Sequence, residues 1–329
     1  MNTFKILLAI GFFSISCSGI SIALTANPSP TEISKQIREE FLHAWNGYKT
    51  HAWGCDELKP LTKTCHNWGS HSLLITPIEA LDTMIIMDLH EEADRTREYI
   101  ATHLSFDHNM FVNTFETTIR VLGGLISSYQ MTEDKRLLDL AEDLGRRLLP
   151  AFSSSTGMPY SWVNLRTGVA KGHLSNAAEI GTSILEFGTL SKLVGDPIFH
   201  EVSLAALLEV YKYRSSIGLL GSKIDVNTGE WKDDTSQIGG GSDSYYEYLL
   251  KCWLLFGDEK CKRQWEKSFA SLTTHLLHKN NRAEASIPSY NHWFARVDMK
   301  TGTLKNAYIG ALDAFFPGCL VLYGYKKQL

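Results

Sequence analysis

The sequence predicts an all-α protein built of helical hairpins that follow one another round an (α/α) toroid, with β-hairpins gathered on one rim. Apolar positions recur at helical spacing through most of the chain after residue 30. The helical segments come mostly in pairs joined by short links, such as Met131-Thr132 and Gly195-Asp196. Three longer connections each put Thr-Gly at the tip of a predicted β-hairpin: Val163-Asn164-Leu165-Arg166-Thr167-Gly168, Asp225-Val226-Asn227-Thr228-Gly229 and Asp298-Met299-Lys300-Thr301-Gly302. They recur every roughly 60–75 residues, about one helix pair plus one hairpin, as a repeating unit would.

From the N-terminus, residues 1–26 read as a signal peptide. Lys5 is the only charge before Glu32, Ile6–Ser16 is an apolar run of leader length, and Ser21-Ile22-Ala23 and Ala26 offer small-residue cleavage sites. Export to a periplasm, extracellular space or secretory lumen is expected, with an uncleaved membrane anchor as the second reading. Residues 31–329 form the predicted catalytic domain. Its helices are expected over Thr31–Lys49, Thr76–Leu89, Glu91–His103, Phe115–Gln130, Glu133–Phe152, His173–Val194, Pro197–Arg214, Ser244–Phe256, Glu259–Lys279 and Asn306–Tyr323. In an oxidising compartment Cys55–Cys65 and Cys252–Cys261 are both short enough to close, which leaves Cys319 as the odd thiol. Cys55, Cys65, His66 and His71 match no standard zinc spacing.

Composition narrows the function. The chain has 329 residues, 44% hydrophobic and 21% charged, enough to bury a sizeable core. Lys plus Arg number 32 against 36 Asp plus Glu, a net −4 with no basic block, which sets nucleic-acid binding aside.

Two carboxylates stand out. Glu116, in the first turn of an otherwise apolar helix, has Arg120 at i+4 and a small-residue surface of Thr117, Thr118, Gly123 and Gly124. It reads either as a dipole-favoured helix-terminal glutamate or as a catalytic acid. Asp243 follows Gly239-Gly240-Gly241-Ser242 and precedes Ser244-Tyr245-Tyr246-Glu247, where Ser244 and Glu247 fit a capping box that leaves Asp243 just outside the helix. The glycines would let the backbone pass close to a ligand. A loop aspartate bonded to local amides is the plainer reading. Two such carboxylates on one toroid could serve as the acid and base of a glycosidase.

At this point the segments His43-Ala44-Trp45-Asn46-Gly47-Tyr48, Ala52-Trp53-Gly54, Asp56-Glu57-Leu58-Lys59-Pro60, Ala80-Leu81-Asp82-Thr83-Met84, Phe115–Gly124 and Asp243–Lys251 resemble, in order, the motifs of glycoside hydrolase family 47, the class I α-mannosidases. Ala314-Phe315-Phe316-Pro317-Gly318 is most similar to the mannosidase-like branch acting in glycoprotein quality control, and Glu79 stands where the family commonly has Asp. The resemblance implies an (α/α)7 barrel and inverting exo-hydrolysis of α-1,2-linked mannose from high-mannose N-glycans, with calcium at the barrel base. It implies Glu116 as catalytic acid and Asp243 as a second catalytic carboxylate, with Arg120, Glu57 and Phe316 binding substrate.

The family continues past the Phe-Phe-Pro-Gly helix with an Arg-Pro-Glu segment, a glutamate-bearing helix and a threonine that binds the calcium. None of these occurs before Leu329, so an incomplete barrel, no metal ligand in this chain, and weak or absent turnover are expected. Three readings follow: a mannosidase-type hydrolase, completed by a partner chain or self-associating; a module that binds mannose-rich glycans or glycoproteins without cleaving them; and another sugar hydrolase using Asp243 as base.

Overall fold

The computed structural model describes residues 29–279 and 292–324. The predicted leader lies outside them. Among the described residues no helix is long and apolar enough to cross a membrane. The chain divides into one unit through Asn46 and a second from Gly47. Helix α1 (Pro30–Ala52) begins in the first, where it exposes Ile33 and Ile37.

In the second unit, α2 (Ile75–Ile86) pairs with α3 (His90–His103). The following helix starts as α4 (Thr114–Glu116), passes through a π-helical turn at Thr117–Leu122 and continues as α5 (Gly123–Thr132), which pairs with α6 (Lys135–Leu148). After α7 (Ala177–Gly181), α8 (Ile184–Val194) pairs with α9 (Ile198–Val210), and α10 (Asp243–Phe256) with α11 (Glu259–His275). The last helix is α12 (Phe316–Tyr323).

Packing sorts these into two layers. Along one layer α2 touches α5, α5 touches α8, α8 touches α10 and α10 touches α12; in the other, α3 touches α6 and α9 touches α11. Each hairpin thus contributes one helix to each layer, the arrangement of an α/α barrel. On and before α12, Ile309, Leu312, Val321 and Leu322 are exposed.

All three Thr-Gly turns are β-hairpins. Each is closed by the glycine N–H donating to a backbone carbonyl four residues back, that of Asn164, Asp225 or Asp298, while that residue's side chain accepts from amides inside the turn. Each hairpin also pairs with a strand that precedes a helix. The hairpin at 162–171 pairs with 111–113 before α4, that at 223–233 with 174–175 before α7, and that at 296–306 with 235–236 before α10. The repeat is therefore a strand, a helix pair and a hairpin returning to the strand.

Three expected helices are shorter. Ser175 is a strand residue, Asn176 caps α7, and a turn at Thr182–Ser183 interrupts the helix, so His173–Val194 is not one helix. Leu277–Lys279 and Leu304–Asn306 are strands that curtail the segments read as Glu259–Lys279 and Asn306–Tyr323. The disulfides Cys55–Cys65 and Cys252–Cys261 are both formed, and Cys319 is free and buried.

Candidate active site

Glu116 is fixed from both directions. Asn113 caps the helix, its Oδ1 accepting from the Glu116 N–H at 2.8 Å. Thr114 anchors the same turn, donating to the Tyr160 carbonyl at 2.8 Å through its hydroxyl and to the Ser161 carbonyl through its amide. On the side-chain end Arg120 Nε donates to Glu116 Oε2 at 2.8 Å, and Arg120 Nη1 donates to Glu79 Oε1 at 2.7 Å. Desolvation pulls the Arg120 pKa down, but the hydrogen bonds it donates to both glutamates outweigh it and hold the group above its ordinary value. π-Helical turns occur frequently at functional sites, and this one separates Glu116 from the straight part of the helix.

The network reaches further than the i,i+4 pair. Arg120 lies 5.6 Å from the centroid of the Trp68 ring, and Trp68 Nε1 donates to Glu57 Oε1 at 2.6 Å. Neighbouring Asp56, fully buried, organises this loop by accepting from the Trp68 and Leu73 amides and the Ser72 hydroxyl. Glu57, Arg120 and Glu116 thus belong to one connected cluster. The small-residue surface is occupied by protein: a Cβ on Gly124 would meet Ile78 Cγ2 at 2.6 Å, so the glycine lets α5 approach α2.

Asp243 differs from its sequence reading. It is the first residue of α10, and Ser242 is the cap position. Its Oδ1 accepts from the Ser244 amide at 2.8 Å, while the Ser244 hydroxyl receives a bond from Thr182. Burial pushes the Asp243 carboxyl above the usual aspartate range. The glycines before it pack against protein. A Cβ on Gly239 would fall 1.9 Å from Asp313 Oδ1, and the Gly239 carbonyl accepts from the amides of Ser242 and Asp243.

Helix α7 packs against both α4 and α10, and so stands between the two carboxylate-bearing helix starts. Phe316 and the Tyr245–Tyr246 pair do not face a site. Phe316 is fully buried 4.9 Å from Phe294 and 6.1 Å from Trp265, and Tyr245 OH accepts from Gln264 in the core. Apolar burial accounts for these aromatics.

Two carboxylates escaped the sequence reading. Glu179 is capped by Asn176 at 2.9 Å and accepts from Ser175 and Ser161, repeating the Asn113-x-x-Glu116 arrangement. That Asn-x-x-Glu spacing was a signal that could have found it. Glu186 receives a bond from Tyr248 at 2.7 Å, its Oε2 is buried without a partner, and burial raises its pKa.

A cavity of about 360 Å³ opens beside Glu116, walled by Trp68, Trp162, Phe111, Met110 and Asn113 among others.

Comparison with known proteins agrees with this geometry. The model for "Glycosyl hydrolase family 47" matches residues 40–328. Alpha-mannosidase I MNS5 of Arabidopsis thaliana is 35% identical over 97% of this chain and 58% of its own length. The endoplasmic reticulum mannosyl-oligosaccharide 1,2-alpha-mannosidase of Mus musculus is 41% identical over 89% of this chain and 44% of its own. Among solved structures, the alpha-1,2-mannosidase from Trichoderma reesei superposes with a TM-score of 0.78 at 25% identity, covering 91% of this chain and 64% of that one. The chain spans about half the length of the curated relatives it matches.

Proposed function

The chain belongs to glycosyl hydrolase family 47, and from that membership we propose that it is an α-1,2-mannosidase-type glycosidase acting on the mannose oligosaccharides of N-glycans. The observation that carries this reading is Glu116, held by Asn113 and Arg120 in the wall of an open cavity. Glu116 acts as the general acid and gives its proton to the glycosidic oxygen as the bond to the leaving sugar breaks. Arg120, fixed between Glu116 and Glu79, keeps the carboxyl oriented. Asp243 is the second carboxylate; inversion requires a base to activate a water across the sugar from Glu116, and Asp243 serves as a stand-in for the family's base only if roughly 6.5–9.5 Å separates the two carboxyls.

Calcium belongs to the family's chemistry. Among the described residues no group of three or more His, Cys, Asp or Glu side chains converges to hold a metal. Two disulfides among the described residues suit an oxidising secretory compartment.

The test is release of mannose from α-1,2-mannobiose by the wild-type chain and by Glu116→Gln. Loss of the acid is expected to slow release about 10²–10⁴-fold. Equal measurable release by the two refutes Glu116 as the acid, no release by wild type refutes the hydrolytic reading, and binding of the sugar without release assigns the chain to glycan recognition.

A further inference from the structure

We propose that the stacked imidazoles of His71 and His108 are a pH-sensitive latch between two loops that wall the Glu116 cavity, shut while the rings are neutral and slack once both are protonated. The latch stands on its own geometry, whereas its bearing on turnover rests on Glu116 being the acid.

The two rings face each other with centroids 4.1 Å apart and planes 9° from parallel. His71 belongs to the loop after the Cys55–Cys65 disulfide, and His108 to the loop between α3 and the strand at 111–113. Asp56 ties the first loop on both sides of its tip, accepting from the Trp68 and Leu73 amides, which leaves Gly69-Ser70-His71 between the anchors. That tip leans on the second loop. A Cβ on Gly69 would fall 3.1 Å from Met110 Sδ, and the Ser70 hydroxyl lies 3.9 Å from the same sulfur and 3.0 Å from His71 Nδ1. Trp68, Gly69 and Met110 line the cavity, and Met110 is only 6% exposed. Parting the two rings therefore lifts the tip from Met110 and opens the wall beside Glu116.

The surroundings of the pair make protonation costly. His108 is faced by His71 across the stack, by Arg166 from the hairpin at 162–171, and by Asp107 beside it in the chain. Asp107 is already engaged, accepting from Arg166 Nε at 2.9 Å and lying 3.6 Å from Arg147 of α6. Burial, then the charges on His71 and Arg166, hold the His108 imidazole below its ordinary range, against the pull of Asp107 and a backbone hydrogen bond at Ser105. Neutral rings gain from stacking, whereas two imidazolium rings at this distance repel. The stability that neutral His108 contributes is present above about 6.5 and is lost as pH falls through its folded pKa. The cavity wall is thus whole at neutral pH and slack in mildly acidic surroundings.

The experiment is oxidation of the full chain by dilute hydrogen peroxide at about pH 7.5 and about pH 5, on either side of the imidazole range, with sulfoxide at each methionine read by peptide mass spectrometry. Peroxide gives one oxygen atom to the thioether and leaves as water. The proteins are wild type, His71→Gln, His108→Gln and the double variant. Met84 and Met158, fully buried elsewhere in the core, report any general loosening. In wild type Met110 is expected to oxidise about three- to tenfold faster at the lower pH, the change that two screened unit charges about 4 Å apart produce, while Met84 and Met158 hold still. Each variant is expected to stay within about twofold, since none keeps two charges to repel. A flat wild-type response, a rise that persists in the double variant, or equal rises at Met84 and Met158 overturns the proposal. Hydrolysis of α-1,2-mannobiose separates the two claims. Turnover that depends on Glu116 with a flat Met110 response sinks the latch alone, whereas a histidine-dependent Met110 response with no turnover sinks the catalytic reading alone.

Discussion

Asp313→Ala is expected to destabilise the protein strongly through a pair that also shapes the Asp243 loop. Arg296 and Asp313 are 8% and 5% exposed, with Nη1–Oδ2 at 3.2 Å and Nη2–Oδ1 at 3.3 Å. Asp313 Oδ2 also accepts from the Gly310 amide at 2.6 Å. Without the carboxylate, the guanidinium keeps only the Tyr308 carbonyl at 2.8 Å and that residue's ring at 3.9 Å. Leaving one buried charge uncompensated costs about 3–5 kcal/mol. With a urea m-value of about 3 kcal/mol/M, that moves the unfolding midpoint down by about 1 M or more. The double variant Arg296→Met, Asp313→Leu removes both charges and should recover most of the loss, because desolvating the pair offsets much of its attraction. Gly239→Ala should act on the same device, since its Cβ would lie 1.9 Å from Asp313 Oδ1 and force the pair apart, at about 1–3 kcal/mol. Urea denaturation of the four proteins decides the matter. A loss below about 1 kcal/mol for Asp313→Ala, or a double variant no more stable than Asp313→Ala, refutes the reasoning.

Two further outcomes follow from burial. If Asp243 is the base it must be ionised, so its raised pKa places the acid limb of kcat/KM above the ordinary aspartate value of 3.8, and rates fall as pH drops through that limb; a limb at or below 3.8 speaks against the role. Glu186 binds its proton more tightly folded than unfolded, so the stability it contributes is present below about 4.5 and lost as pH rises through its folded pKa. Glu186→Gln never ionises and should gain stability relative to wild type across that rise, in melts at stepped pH; a difference independent of pH would show the carboxyl is not desolvated.

The sequence by itself determined whatever depends on neighbours within a few residues. The Glu116–Arg120 pair is an i,i+4 relation, and the Thr-Gly turns are set by a side chain and a glycine four positions apart. Both disulfides close loops of about ten residues. The repeating hairpin was legible for the same reason, because each unit carries its own turn and helix signals.

Only the tertiary structure decided relations across long separations. Trp68 meets Arg120 from 52 positions away, and Gly239 owes its lack of a side chain to Asp313, 74 positions on. Tyr245 and Phe316 have the composition of a sugar platform, yet packing consumed them, while Trp68 and Trp162 stayed half exposed. Helix periodicity tells which side of a segment is apolar but not which apolar surface meets it. That is settled by close packing of all the helices at once, where one missing Cβ decides whether two segments can touch.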